Sequence, residues 1–179
     1  MIQKIKNLFK KFCSKKSISS STLLKNEDLT TDNSTNLNIY FQELILNKDV
    51  DGIEDGLPLL FELENDEYIG ILHQLILEQW HYRHEDIIHD IQKRKNPASI
   101  EFIKQAMQTN YAYLEAYGTG TRQFINQCGH ALSSIGNSDV IDLIRELSKS
   151  DNPVLKDEML YRISRIENRN DYIRNYEED

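Results

Sequence analysis

The sequence predicts an all-α chain: an α-α superhelix of HEAT-like helical repeats with about eight helices. Three observations carry this. Seven glycines and three prolines among 179 residues are too few for a turn-rich β-sandwich or barrel. From about Asn38 to the C-terminus the apolar residues recur at three- and four-residue spacing. Sliding the chain by 41 positions sets His89 on His130, Asn96 on Asn137, Ile100 on Ile141 and Ile103 on Ile144. That shift lies in the 40–47-residue range of two-helix repeats.

Three zones follow. Residues 1–16 form a basic amphipathic arm, with Ile2, Ile5, Leu8, Phe9 and Phe12 on one side of a helix and six lysines around them. Residues 17–37, rich in Ser, Thr and Asn, read as a linker. Residues 38–179 are the repeat domain. Its first stripes are Tyr40, Phe41, Leu44 and Ile45, then Leu57, Leu59, Leu60, Phe61 and Leu63, then Ile69 through Trp80. Ile87, Ile88 and Ile91 lead to Asn96-Pro97, a cap followed by a proline at the first helical position. Ile100 to Met107 and Phe124 to Ile135 follow, separated by a Tyr- and Gly-bearing connection. Gly136-Asn137 and Asp151-Asn152-Pro153 punctuate the rest.

Charge is divided unevenly. The arm carries +6 and the remaining 163 residues −14, which gives the net −8. An acidic body repels phosphate backbones and attracts basic proteins, so the expected partner is a protein with a basic surface and not nucleic acid. The arm's two faces suit weak contact with an anionic membrane. Cys13 and Cys128 form no CxxC pair, so neither a disulfide framework nor a cysteine zinc site is expected. No apolar run reaches the length of a spanning helix. The expected location is the cytoplasm, peripheral to the inner face of the membrane if the arm engages it.

The stretch 75–87, Leu-Ile-Leu-Glu-Gln-Trp-His-Tyr-Arg-His-Glu-Asp-Ile, resembles the Trp-His-x-x-His-Glu-Asp helix of small bacterial HEAT-repeat proteins related to phycobilisome-lyase-type repeats. Residues 110–114 (Asn-Tyr-Ala-Tyr-Leu) and 128–136 (Cys-Gly-His-Ala-Leu-Ser-Ser-Ile-Gly) are similar to the same family's connection and helix end. Proteins of this kind are encoded in polymorphic toxin loci as immunity proteins. The resemblance spans about residues 55–166 and implies a toxin-neutralising role, with no catalytic residue to carry over.

The histidine cluster holds the richest candidate chemistry. On one continuous helix His81, Glu85 and His89 share a stripe, which can supply metal ligands, but the order is not HExxH and His89 points away from the apolar face. Surface pairing and partner contact fit this pattern better, so no metal, cofactor or catalytic residue is assigned. Cys128 lies on the apolar stripe, and i, i+2 geometry turns His130 away from it. The expected function is non-enzymatic protein binding, with Glu85, Asp86, Asp90, Tyr111, Tyr113 and Tyr117 as the partner-binding set. A scaffold or membrane-peripheral adaptor is the alternative. A repeat-type lyase or glycosylase-like enzyme is disfavoured, because no nucleophile–base pair emerges.

Overall fold

Asn33 opens the first helix of the computed structural model, which describes residues 33–177 apart from 64, 65, 117 and 119, and side chains between 37 and 168. The arm (1–16) and most of the linker lie outside the described residues, as does Tyr117. The described residues form nine α-helices and two 3-10 turns, with no strand. We number the helices α1 (Asn33–Leu46), α2 (Val50–Glu62), α3 (Ile69–Leu77), α4 (His84–Arg94), α5 (Ile100–Gln108), α6 (Ala112–Ala116), α7 (Gly120–Ile135), α8 (Ser138–Leu147) and α9 (Pro153–Glu177). The 3-10 turns, Asp66–Tyr68 and Pro97–Ser99, lead into α3 and α5. None of these helices is long and apolar enough to cross a membrane.

The elements depart from the sequence reading in three places. Helix α1 begins inside the stretch read as linker, because Leu37 is the first member of its buried stripe with Phe41, Leu44 and Ile45. The connection around residues 112–116 is itself a short helix, α6, whose Leu114 is buried. The stripe from Ile69 to Trp80 is cut at Leu77, with an irregular segment before α4.

The helices pack largely in chain order. Helix α1 lies on α2 and α3, α3 on α4 and α5, α4 along α7, and α7 on α8 and α9. A single apolar core runs through them, from Phe41 and Leu57 through Leu72, Ile87 and Phe124 to Met159. Cys128 is part of it, and burial drives its thiol pKa up, so it behaves as a small core residue. At Gly120 a Cβ would stand 2.5 Å from the Leu114 carbonyl oxygen, so only glycine lets α7 start this close to α6.

The turns share one grammar. Lys48, Lys95 and Gly136 each adopt a left-handed conformation, with φ of 49°, 52° and 65°. Each is followed by a residue whose side chain caps the next helix: Asp49 accepts from Gly52 N, Asn96 from Ala98 N and Asn137 from Val140 N. Lys95 and Gly136 stand 41 residues apart, the shift at which the sequence overlays itself. Asn152 caps α9 in the same manner through Val154 N and Leu155 N.

Candidate functional site

A cluster of buried polar side chains is built where α3 stops. The last carbonyls of a helix have no intrahelical partner and must find one elsewhere. Here His81 Nε2 donates to the Leu75 carbonyl at 2.8 Å, Tyr111 Oη to Ile76 at 2.5 Å and His84 Nε2 to Glu78 at 2.6 Å. Two histidines from the following segment and one tyrosine from before α6 thus terminate the helix. The tautomers follow from the partners. A carbonyl only accepts, so both Nε2 atoms carry the proton. His81 Nδ1 then accepts from Arg83 N at 3.1 Å, and His84 Nδ1 from the Tyr113 hydroxyl at 3.1 Å.

Ring stacking completes the cluster. His81 and His84 lie 4.2 Å apart at 18°, and Tyr111 sits 3.9 Å from His84 on its way to Phe124. Both histidines are fully buried, and burial is the main cause that lowers their pKa values. For His84 the value falls to about 3, helped by the neighbouring His81. Further along α3, buried His73 stacks on Phe102 at 4.1 Å and pairs with Ser99 Oγ at 2.8 Å; burial lowers it to about 4 against the opposing pull of Asp66. These histidines are neutral in the fold and charged in the unfolded chain below about pH 6.5. The unfolded state therefore binds more protons, and stability falls as pH drops from about 6.5 towards the folded-state values near 4 and 3. We expect a slope of up to about 1.4 kcal/mol per pH unit for each histidine, read by urea titrations at several pH values, and a pH-independent stability between 4 and 6.5 would contradict the assignment.

The sequence placed the six partner-binding residues on one surface, and the fold divides them. Tyr111 is only 2% exposed and its burial raises its pKa, so it belongs to the interior cap of α3. Asp90 is 5% exposed and bonded to Arg94 at 2.7 Å, while Arg94 Nη2 also donates to the Leu60 and Leu63 carbonyls at 3.0 and 2.9 Å. That pair ends α2 and is closed to a partner. The His81–Glu85–His89 stripe does not exist, since His81 precedes α4 and faces inward. His84 is buried as well. Among the described residues no three His, Cys, Asp or Glu side chains converge as metal ligands.

Glu85, Asp86 and Tyr113 do come together. They stand at the start of α4, where both carboxylates push the half-buried Tyr113 hydroxyl further up after its own burial, to about 12. Tyr82 joins them. It is 58% exposed, and its ring meets Tyr113 edge-on at 5.3 Å. Asp86 Oδ2 lies 3.1 Å from Arg83 Nε, and Glu85 Oε1 accepts from Gln127 on α7 at 3.3 Å.

No family model, curated protein or solved structure matches the chain.

The residues themselves therefore carry the functional reading. Sequence analysis missed Tyr82 because it sat within a supposed continuous helix, where its neighbours Trp80 and His81 set the expected face. The available signal was its place between two histidines that bury themselves and leave the tyrosine outside.

Proposed function

We propose that this chain is a non-enzymatic, HEAT-like helical-repeat module that binds a basic protein through the face formed by Tyr82, Tyr113, Glu85 and Asp86. The toxin-locus resemblance makes a cognate bacterial toxin the partner class, with neutralisation by direct binding as the role. One observation carries the reading: the exposed Tyr82 packed edge-on against the half-buried Tyr113 and flanked by two carboxylates, seated on the cap that closes α3. Aromatic anchors on a rigid base lose little side-chain entropy on binding, and adjacent acids steer a basic partner to them. The superhelical arrangement draws support from the recurring left-handed turn and Asx cap at Lys95-Asn96 and Gly136-Asn137.

The test begins with a pull-down from the native cell, followed by co-expression with the captured protein or with the product of the adjacent gene. Rescue of growth from that product is the expected result. Glu85→Lys with Asp86→Lys should then slow association about tenfold and leave dissociation nearly unchanged, since charges at a rim act mainly on encounter. Tyr82→Ala should weaken binding by about 1–2 kcal/mol, with the circular dichroism spectrum unchanged. A neighbour that is harmless, or that kills at matched expression, sinks the neutralising role.

A further inference from the structure

Helix α9 packs on α7 and α8 through Leu155, Met159 and Arg162, all buried, and turns its other side outward. There Leu160 is 47% and Tyr161 51% exposed, side by side, with the exposed Ser164 one turn on. Asp157, Tyr161 and Arg165 follow at four-residue steps and form one ridge of the helix, all three exposed. Among the described residues Asp157 and Arg165 make no ion pair or hydrogen bond. Neither has an opposite charge three or four positions away in its own helix. Tyr161 rests on a fixed base. The Arg162 guanidinium lies 5.5 Å from its ring centre and is itself held by Glu158 at 2.6 Å and by His130 and the Asn126 carbonyl of α7, both at 3.2 Å. Such a ring loses little freedom when something packs on it.

Charge decides what can pack there. Residues 33–90 hold thirteen acidic and two basic side chains, whereas residues 153–168 of α9 hold three of each. Two copies of an acidic chain repel over the first region and can approach at the second. We propose that the outward ridge of α9 is a self-association surface, on which a second copy of this chain lays its own α9 antiparallel about a two-fold axis. In such an isologous contact residue i of one copy meets j of the other, and j meets i. With the axis beside Tyr161, Asp157 of each copy faces Arg165 of the other, so both unpaired charges are matched twice. The two Tyr161 rings and the Leu160 side chains fill the middle. A parallel pairing about a two-fold axis sets like charges together instead. Rows at four-residue spacing on both helices interlock at a crossing of about −50°, which carries the rest of the two chains apart. One helix on one helix buries less than about 1,200 Å², so the dimer is weak and depends on concentration. The proposal does not rest on the partner-binding reading of Tyr82.

Sedimentation equilibrium on the intact chain tests this. From about micromolar to about millimolar protein, the weight-average mass should rise from 21.0 kDa towards twice that value. Asp157→Arg and Arg165→Asp each create two like-charge pairs across the axis, and each should weaken association about tenfold or more. The swap Asp157→Arg/Arg165→Asp restores both pairs in the reverse sense and leaves the net charge at −8. It should return the association constant close to the wild-type value. Tyr161→Ser should weaken association about tenfold. All these positions are exposed, so the circular dichroism spectrum and the melting temperature should not move. A chain that stays monomeric at about 1 mM overturns the proposal. So does a dimer indifferent to either single reversal or to Tyr161→Ser, and so does a swapped chain that associates no better than the single variants.

Discussion

Replacing Asp90 by alanine should destabilise the protein by about 3–5 kcal/mol, the range for removing one partner of a buried ion pair. The side chains of Asp90 and Arg94 are 7% and 4% exposed, so the guanidinium left behind would lose this buried carboxylate while its bonds to the Leu60 and Leu63 carbonyls stay. At this chain length the loss corresponds to a fall of about 6–20 °C in melting temperature, read by circular dichroism or urea titration. The double variant Asp90→Leu/Arg94→Met should recover part of it, because it removes the buried guanidinium along with its carboxylate. A loss below about 1 kcal/mol would show that water reaches the pair, contrary to its burial. Partner binding by the folded fraction should stay unchanged, in contrast with Glu85 and Asp86.

His84→Ala should cost about 3–4 kcal/mol. It empties the space between His81, Tyr111 and Phe124 and leaves the Glu78 carbonyl and the Tyr113 hydroxyl without their bonds. Tyr113→Phe removes only the second of those bonds and should cost about 1 kcal/mol. The ratio of the two is diagnostic. Equal losses would mean that His84 acts through Tyr113 alone and that the end of α3 is closed without it. His84→Ala should also flatten the acid limb of the stability profile, since its proton no longer distinguishes the folded from the unfolded chain.

The all-helical class and the turn positions were legible because both are local. Three-to-four spacing, Asn96-Pro97, Gly136-Asn137 and Asn152-Pro153 act within one or two turns of chain, and the structure places helix ends at each of them. The break after Leu77 was not legible. No glycine or proline marks it, and the apolar spacing continues to Trp80. Tyr111 reaches back across the fold to the Ile76 carbonyl beside the local bonds of His81 and His84, and no window around residue 77 contains Tyr111. Asp90 misled for the same reason. It read as part of an exposed acidic surface, yet the carbonyls that hold its partner Arg94 inward lie at the end of α2, about thirty residues earlier. Of the candidate surface, Glu85, Asp86 and Tyr113 were readable from charge and aromatic content. Tyr82 became visible only once the helix was broken.

The closure of α3 by residues from two later segments bears on how this region opens. A helix capped by its own neighbours frays one turn at a time. Here the last turn of α3 cannot loosen unless His81, His84 and Tyr111 let go together, which also frees the start of α4 and the residues ahead of α6. Amide protons in these three places should therefore exchange with solvent through a single opening event, with one common free energy and one common denaturant dependence. Segments distant in sequence would behave as one cooperative unit, whose boundary cuts across the repeat boundary implied by the 41-residue self-similarity.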